Sequence, residues 1–306
     1  MTRVAVLMGG FSSEREVSLS SGKGCVEGLR NAGYEVTAID VTRDLNALLK
    51  ALDPAPDAVF NALHGPFGED GRIQGLLDIL GIPYTHSGAT ASAMAMDKSV
   101  SRAMFALKEI PRAEGWVVPR CELDAFPEPD RPYVMKPLCE GSSVGVELIF
   151  ETDNKSWADL KQVYAKYSDS LIERYIPGRE IQVLVMGGEA VGAIEIRTDR
   201  RFYDYRAKYA EGESVHLMPA PIHPDAYDRA LDLAARSHAA LGCRGISRVD
   251  LRYDDTKGEP GELVVLEVNT QPGMTPTSLA PEIAAHAGWP FERLLTWLVE
   301  HAACDA

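Results

Sequence analysis

The sequence has no apolar run near the roughly 18 to 20 residues that a membrane-spanning helix requires. It has no recognisable secretory leader either, because the apolar stretch from Arg3 to Met8 is short and runs into a glycine turn without a small-residue cleavage site. The five cysteines are scattered and form no C-x-x-C pair, which is typical of reduced thiols and not of a disulfide framework or zinc site. These absences predict a cytoplasmic protein.

Positive charge is also scarce, with 31 Lys and Arg residues against 45 Asp and Glu residues and a formal net charge of −14. This balance disfavours nucleic acid or an anionic membrane as a partner. Two nucleotide-binding signatures are missing: the G-K-[ST] of the P-loop, and the G-x-G-x-x-G that an NAD-binding oxidoreductase carries after its first strand. Any nucleotide site must therefore rely on locally placed lysines and metal ions.

The composition is otherwise that of a globular protein of 306 residues, of which 45% are hydrophobic and 25% charged. Up to about residue 90, strand patterns alternate with helical ones, which predicts an α/β unit with a parallel sheet covered by helices. The predicted strands are Arg3–Met8, Tyr34–Val41 and Ala58–Leu63, and the predicted helices are Glu16–Asn31, Leu45–Leu52 and Gly71–Leu80. Residues 9–14 and 64–65 follow strands, where ligands collect in such sheets.

From Ala91 onward the pattern changes to α+β, in two units that meet at a strand-to-strand crossing near residue 178. We therefore predict domains at 1–92, 93–177 and 178–306. The predicted helices are Ala91–Lys108, Trp157–Tyr167, Asp225–Leu241 and Phe291–Val299. The predicted strands are Trp116–Val118, Tyr133–Lys136, Val144–Ile149, Ser170–Tyr175, Ile181–Met186, Ala190–Ile196, Ser247–Tyr253 and Glu262–Glu267, with an aromatic loop at Phe202–Tyr209.

Oxygen-bearing side chains cluster on two predicted strands in the last third of the chain. Asp250 lies on one strand, and Glu267 and Asn269, which are two residues apart and so share a face, lie at the end of the other. If these strands pair antiparallel, the three side chains face one pocket and suit magnesium ions that bridge nucleotide phosphates. The alternative is a charged hairpin on a solvated face.

A glycine- and serine-rich turn, KPLCEGSSVG at residues 136–145, lies between two predicted strands. Such a turn can close over phosphates with its N–H groups and hydroxyls, and Lys136 adds a fixed positive charge. Alone it is more often an ordinary hairpin turn; beside the metal pattern we interpret it as a nucleotide lid.

Glu173 and Glu180 are candidates to hydrogen-bond an adenine amine and ribose hydroxyls, with Tyr175 and Ile176 against the base. The alternative there is an exposed linker, and Lys98 alone would read as a solvated helix lysine.

Taken together, ordered motifs over nearly the whole chain resemble the ATP-grasp superfamily, and within it the D-alanine–D-alanine ligase family. The motifs are GG at 9–10 with EREVS at 14–18, ALHG at 62–65 with GEDG at 68–71, MDK at 96–98, KP at 136–137 with EGSSVG at 140–145, FYDY at 202–205 with AKY at 207–209, and EVNT at 267–270 with PGMT at 272–275. No one of these motifs is specific, but their order and spacing together are.

The resemblance implies a three-domain ATP-grasp fold with an N-terminal parallel-sheet (pre-ATP-grasp) domain and ATP held between the other two domains. Two Mg²⁺ or Mn²⁺ ions are implied at Asp250, Glu267 and Asn269, and whether a monovalent cation also binds stays open. The nucleotide contacts implied are Lys98, Lys136, Glu140, Ser142, Ser143, Glu173, Tyr175, Ile176, Glu180 and Lys208.

On the amino-acid side, Glu14 resembles the residue that holds the ammonium group of the first D-alanine, with His64 nearby and Ser142 and Tyr209 as hydrogen-bond partners. Ser278 and Leu279 resemble the carboxylate site of the second D-alanine. The implied activity joins two D-alanines through an acyl phosphate, for peptidoglycan precursor synthesis. We expect Arg248 and the Gly273 N–H to stabilise the oxyanion. The base that deprotonates the attacking amine stays open between a phosphate oxygen and the Glu14–Ser142–Tyr209 network.

Departures and alternatives complete the expectations. Gln271 stands where we associate serine with the N-T-x-P-G run, and residues 109–116 are more charged than expected. The alternatives are another ATP-grasp carboxylate–amine ligase, a D-alanine–D-lactate ligase, and a non-catalytic nucleotide-binding protein. Glu14 and His64 argue against the first, Tyr209 against the second, and the retained phosphate and metal residues against the third. A homodimer is expected from the resemblance alone.

Overall fold

The computed structural model describes residues 1–198, 214–275 and 278–305. Its strands, in chain order, are β1 Arg3–Gly9, β2 Glu35–Val41, β3 Ala58–Asn61, β4 Gly115–Pro119, β5 Tyr133–Pro137, β6 Glu147–Ile149, β7 Asp169–Arg174, β8 Arg179–Met186, β9 Glu189–Arg197, β10 Val215–Leu217, β11 Ile246–Asp254 and β12 Glu262–Asn269. Its helices are α1 Arg15–Asn31, α2 Leu45–Ala51, α3 Arg72–Leu80, α4 Ala89–Met96, α5 Lys98–Leu107, α6 Trp157–Tyr164, α7 Pro224–Ala240, α8 Leu279–His286 and α9 Phe291–Glu300.

The N-terminal sheet is parallel, in the order β2-β1-β3, as the alternating pattern predicted. The interior of β1, from Val4 to Leu7, is buried because helices cover both faces of the sheet. Beyond β3 the sheet is continued by Tyr84, which pairs parallel with Val59 and antiparallel with Ala303. The carboxyl ends of β1 and β3 therefore meet at one edge, which brings residues 10–14 next to His64.

The remaining strands form antiparallel sheets in the orders β4-β7-β5-β6 and β10-β9-β8-β11-β12. Helix α6 packs its buried Leu160 and Tyr164 against the first of these sheets. Helix α7 covers one face of the second sheet, and the other face packs at its apolar end against α8, α9 and the N-terminal unit. The polar end of that second face is left to line a cleft. The mixture of helix and sheet agrees with the predicted fold class.

The long helix predicted over Ala91–Lys108 is broken at Asp97. This residue has an extended ψ of 105°, and its side chain accepts hydrogen bonds from the N–H groups of Ser99 and Val100. Asp97 is thus the N-cap of α5, a position at which aspartate competes well with helix continuation. Lys98 is consequently the first residue of a new helix.

The lid turn also differs from the prediction, since β6 begins at Glu147 and not at Val144. Ser142, Ser143 and Gly145 have positive φ angles of 49°, 59° and 72°, which no strand accepts. Strand β10 and helix α8 were not predicted, and the aromatic loop at Phe202–Tyr209 lies outside the described residues.

The named strands of each sheet come from one of the predicted segments, although Ala303 of the last segment pairs with Tyr84 beside the N-terminal sheet and the boundary at 92–93 lies inside α4. None of the helices in the described ranges is long and apolar enough to cross a membrane.

Candidate functional site

A cleft, here the first cleft, lies between the sheet of β5 and β7 and the sheet of β11 and β12. It gathers the predicted nucleotide contacts of the described chain apart from Ser142, namely Lys98, Lys136, Glu140, Ser143, Glu173, Tyr175, Ile176 and Glu180. Asp250 and Glu267 line its opposite wall. Because the two sheets face each other, residues separated by up to 169 positions line the same cleft.

Glu173, which is 4% exposed, is among the most buried charges in the first cleft. Its carboxylate pairs with the guanidinium of Arg102 and, at 2.5 Å, with Lys136 Nζ. Arg102 also donates from Nη2 to the carbonyl oxygen of Ala113 at 2.9 Å, and burial lowers the pKa of its guanidinium. Because each carboxylate oxygen keeps a second lone pair, Glu173 can still accept a hydrogen bond from a ligand amine.

The part of the first cleft next to Glu173 is apolar. Val134, Leu148 and Leu266 line it, and the ring of Tyr175 is held edge-on against Phe150 with centroids 5.0 Å apart. Ile176 is 3% exposed and packs with Ala113 and Val264. Apolar walls with a few fixed polar groups suit a flat heteroaromatic ring.

The predicted metal ligands lie on paired antiparallel strands, as expected. Asp250 stands directly opposite Glu267, and Arg248 opposite Asn269, with a β-bulge immediately after Asp250. Arg248 donates to both carboxylate oxygens of Asp250, at 2.7 and 2.9 Å. Directly opposed residues of an antiparallel pair project to the same face, so two carboxylates and one amide face the clefts together.

This donor set fits Mg²⁺, which binds proteins through one or two carboxylates and takes further oxygens from phosphate and water. Within residues 1–198, 214–275 and 278–305, no group of three or more His, Cys, Asp or Glu side chains is arranged to hold a metal ion. Besides the carboxylates of Asp250 and Glu267, this face offers the amide oxygen of Asn269.

A second cleft lies between the N-terminal sheet and the ends of β11 and β12. It is lined by Glu14 and His64 from one side and by Arg248, Asn269 and Gly273 from the other. Lys98, Glu140 and Glu267 line both clefts. Lys98 Nζ donates to the carbonyl oxygen of Glu140 at 2.9 Å and lies 3.4 Å from Glu267 Oε2. The two clefts thus meet at a fixed ammonium group.

The lid turn closes onto the N-terminal unit at Glu14. Ser142 Oγ donates to Glu14 Oε2 at 2.6 Å, and Glu14 is 5% exposed. A methyl group at Gly141 would lie 3.2 Å from Glu14 Oε1, so the glycine lets the lid backbone approach the carboxylate closely. Two of the three members of the predicted Glu14–Ser142–Tyr209 network are therefore in contact; Tyr209, like Lys208, lies outside the described residues.

His64 is held from both ring nitrogens. Its Nδ1 lies 3.1 Å from Glu69 Oε1 and its Nε2 lies 3.1 Å from Ser21 Oγ, while Ser12 Oγ donates to its carbonyl oxygen at 2.7 Å. The ring is 5% exposed and faces the second cleft. These partners fix the ring in one orientation.

The predicted oxyanion donors, Arg248 and Gly273, both line the second cleft. A side chain at Gly273 would come within 2.8 Å of Ser278 Oγ and would displace that hydroxyl. Ser278 is the N-cap of α8 and Leu279 is its first residue. Leu279 packs into the core, and neither residue is among those that line the two clefts.

Several polar residues at the clefts were not predicted. Glu69 and Ser21 hold His64, Arg102 holds Glu173, and Gln271 joins the two units behind the second cleft. Glu69 had a signal in the sequence, since it lies in the GEDG motif. Gln271 was noted in the sequence only as a departure from the N-T-x-P-G run, and Ser21 and Arg102, whose partners lie 43 and 71 positions away, carry no local signal.

Comparisons with known proteins agree with these features. The family described as "D-ala D-ala ligase C-terminus" matches residues 125–300, and the family "D-ala D-ala ligase N-terminus" matches residues 46–87. Proteins named D-alanine--D-alanine ligase from Granulibacter bethesdensis and Acidiphilium cryptum are 55% and 56% identical, over 99% of this chain and 99% of their own. The crystal structure of D-alanine--D-alanine ligase from Bacillus anthracis complexed with ATP is 30% identical, with a TM-score of 0.82 over 98% of this chain and 97% of that one. The chain belongs to the D-alanine–D-alanine ligase family.

Proposed function

We propose that this protein joins two D-alanine molecules to D-alanyl-D-alanine, with conversion of ATP to ADP and phosphate, in peptidoglycan precursor synthesis. The observation that carries the proposal is the junction of the two clefts at Lys98, Glu140 and Glu267. A nucleotide in the first cleft would present its terminal phosphate at this junction. An amino acid in the second cleft would present its carboxylate there.

The first cleft binds ATP by its apolar walls, its acids and its lysines. Glu173 accepts from the adenine amine, Glu180 from the ribose hydroxyls, and Tyr175 and Ile176 pack against the base. Lys136 and Lys98 contact the phosphates, with Ser143 and Glu140 in the lid, and Lys208 adds a further phosphate contact. Fixed cations beside the phosphates stabilise the charge that spreads over the transferring phosphoryl group.

The residues Asp250, Glu267 and Asn269 would hold two Mg²⁺ or Mn²⁺ ions against the phosphates, and these ions would supply charge neutralisation and alignment of the phosphoryl group. The pairing of Asp250 with Arg248 keeps its carboxylate turned toward this face. The Lys98 ammonium at 3.4 Å from Glu267 holds that side chain at the junction before the ions bind.

The second cleft binds the amino acids. Glu14 takes the ammonium group of the first D-alanine, so its carboxylate points toward the junction, where phosphoryl transfer gives an acyl phosphate. The amine of the second D-alanine, whose carboxylate lies at the start of α8 near Ser278 and Leu279, then attacks the acyl carbon, and phosphate leaves. The Arg248 guanidinium and the Gly273 N–H stabilise the oxyanion formed in this attack.

The Ser142–Glu14 contact has a direct role in this scheme. An acyl phosphate is hydrolysed if water reaches it, and a lid seated on the N-terminal unit excludes water from the junction. The same contact helps to orient the Glu14 carboxylate. We propose that Tyr209 completes this network, that the chain acts in the cytoplasm, and that it forms a homodimer.

The activity is tested by phosphate release from ATP with and without D-alanine. We expect release that depends on D-alanine and Mg²⁺, and a loss of roughly 100-fold or more in kcat for Glu267→Ala, because one ion loses its carboxylate. Glu189→Ala, which removes an exposed acid at the start of β9, serves as the control and should match the wild type.

Product analysis separates the proposal from the alternatives. With D-alanine and excess D-lactate near neutral pH, we expect D-alanyl-D-alanine as the main product. A predominant ester product would identify a depsipeptide ligase, and phosphate release without stimulation by D-alanine would contradict the proposal.

A further inference from the structure

Gln271 lies immediately behind the second cleft and crosses from one structural unit to another. It is 2% exposed and follows β12, the strand that bears Glu267 and Asn269. Its side-chain Oε1 accepts a hydrogen bond from Asn61 Nδ2 at 2.7 Å, and its Nε2 donates to the carbonyl oxygen of Leu63. Both halves of the amide are therefore used at the end of β3 in the N-terminal sheet.

On the N-terminal side, these bonds reach the segment that carries His64. Asn61 is 1% exposed; its Nδ2 also donates to the carbonyl oxygen of Gly68 at 2.9 Å, and its Oδ1 accepts from the N–H of Leu63 at 3.2 Å. The Gln271 amide thus caps a compact turn, residues 61–68, in which His64 is the residue that faces the second cleft.

On the other side, Gln271 reaches a proposed metal ligand. Its backbone N–H donates to Asn269 Oδ1 at 2.8 Å. An amide oxygen has two lone pairs, so this bond fixes the direction of the second lone pair and leaves it for a cation. Oriented ligands of this kind depend on the groups that hydrogen-bond them from behind.

We propose that Gln271 is a positioning residue that couples the placement of His64 in the amino-acid cleft to the orientation of Asn269 at the cation position. This inference rests on the proposed function, which gives both positions their ligands. Gln271 itself touches neither substrate. It holds the two units in the relative placement at which the carboxylate of the first D-alanine meets the transferring phosphoryl group.

Gln271→Met tests this role because it keeps the side-chain length and removes both side-chain hydrogen bonds, those to Asn61 and to Leu63. The Leu63 carbonyl oxygen and one of the two N–H groups of Asn61 Nδ2 then lose their buried hydrogen-bond partner. We expect the Kd and KM for D-alanine to rise about tenfold, because two buried polar groups of the turn that carries His64 are left unpaired. The Mg²⁺ concentration for half-maximal activity should rise with them, as the backbone N–H of residue 271 shifts relative to Asn269. The KM for ATP should stay within about twofold, because the first cleft is not contacted.

The decisive measurement is calorimetric binding of D-alanine in the presence of Mg²⁺ and a non-hydrolysable ATP analogue, which reads positioning without turnover. Gln271→Asn keeps an amide that is one methylene shorter and reaches one partner, so an intermediate increase of about threefold is expected. If the Met variant does not fold, the Asn variant is judged by the same measurement.

Ser87→Ala is the matched control. Ser87 is fully buried and its Oγ bridges to the backbone of Arg244, with donor and acceptor distances of 3.3 Å, which also joins the N-terminal unit to the C-terminal one. This variant should lower the thermal midpoint and leave D-alanine affinity unchanged. If Gln271→Met behaves in the same way, with wild-type Kd and KM for D-alanine, the coupling is refuted and the residue is only structural. Wild-type protein that binds no D-alanine would contradict the proposed function as well, which separates the two failures.

Discussion

Buried histidines away from the clefts link the folding of this protein to pH. His238 is 3% exposed, with Nδ1 2.7 Å from Ser247 Oγ, and burial lowers the pKa of its imidazole to about 4. His86 is 2% exposed, and burial together with the nearby His64 and Arg244 lowers its pKa to about 3. Both rings are neutral in the folded protein at pH values at which the unfolded chain binds protons.

The direction of the pH effect follows from this difference. In the unfolded chain a histidine has a pKa near 6.5, so as the pH falls below that value the unfolded state takes up protons that the folded state cannot. The free energy of unfolding is therefore undiminished above about pH 7. It falls as the pH drops toward 5, by about 2 kcal/mol for each of the two rings. We expect His238→Gln to remove about half of this loss.

Urea unfolding at pH 7.5 and pH 5.0 measures this prediction, with the difference between the two pH values as the readout. Any constant cost of the substitution cancels in that difference. An unchanged pH dependence in the His238→Gln variant would show that other groups titrate in its place.

At the scale of elements, helix α5 connects the two ends of the first cleft. Asp97 caps the helix, so Lys98 begins it, and Arg102 follows one turn later on the same face. Lys98 reaches the junction of the clefts, whereas Arg102 reaches Glu173 at the opposite end. A single helix therefore places a cation at the phosphate end and another at the base end.

Substitution of Arg102 should affect nucleotide binding before amino-acid binding. In Arg102→Met the buried Glu173 keeps, among the described residues, only Lys136 as its cation, already 2.5 Å away, so the carboxylate that faces the base loses half of its charge compensation. We expect the KM for ATP to rise about tenfold or more, since removal of one partner from a buried ion pair is costly. Arg102→Lys keeps the charge but loses the bond to Ala113, so its effect should be smaller. ATP titrations at saturating D-alanine decide the matter, and an unchanged KM for ATP in the Met variant would be the contrary result.

At the scale of the whole molecule, residues near the end of the chain complete the N-terminal sheet. Ala303 exchanges backbone hydrogen bonds with Tyr84, and Arg244, from the loop before β11, donates to the carbonyl oxygens of both at 2.6 and 3.2 Å. The Asp305 carboxylate accepts from the N–H of Ala89 at the start of α4. Hydrogen bonds thus join segments near residues 84–89, 244 and 303–305 at one place on the N-terminal sheet.

Arg244→Met removes the guanidinium from this point and keeps much of the stem. Two hydrogen bonds to carbonyl oxygens are lost, while the backbone bonds between Tyr84 and Ala303 remain, so the free energy of unfolding should fall by about 2 kcal/mol. Denaturant unfolding gives the size of the loss. Activity with D-alanine should stay at the wild-type level where the variant is folded, because Arg244 lines neither cleft; a raised KM for D-alanine would contradict this reading.

How much the sequence predicts depends on how local the cause is. The parallel N-terminal sheet and the face that Glu267 shares with Asn269 follow from alternation and spacing, which are local, whereas the antiparallel pairing of Asp250 with Glu267 was a condition that the structure meets. The break at Asp97 was missed because a capping aspartate inside an apolar pattern is a weak signal, and strand β6 was predicted to begin too early, at Val144, because the positive φ angle of Gly145 arises only in the folded turn. The roles of Gln271 and Arg102 were missed because their partners, Asn61 and Glu173, lie 210 and 71 positions away and are brought close only by the fold.

The three residues shared by the clefts also bear on how the protein could be blocked and how it could escape. A short compound that joins a phosphate mimic to an amino-acid mimic would rest on Lys98, Glu140 and Glu267 together. A substitution at the junction that weakens binding of this compound would damage both clefts at once, so a resistant variant would also lose its own activity. A compound that extends into the first cleft would also contact the apolar wall, at positions such as Val134 or Leu148, where a substitution need not damage the junction. An inhibitor that reaches less far along that wall therefore leaves fewer routes of escape.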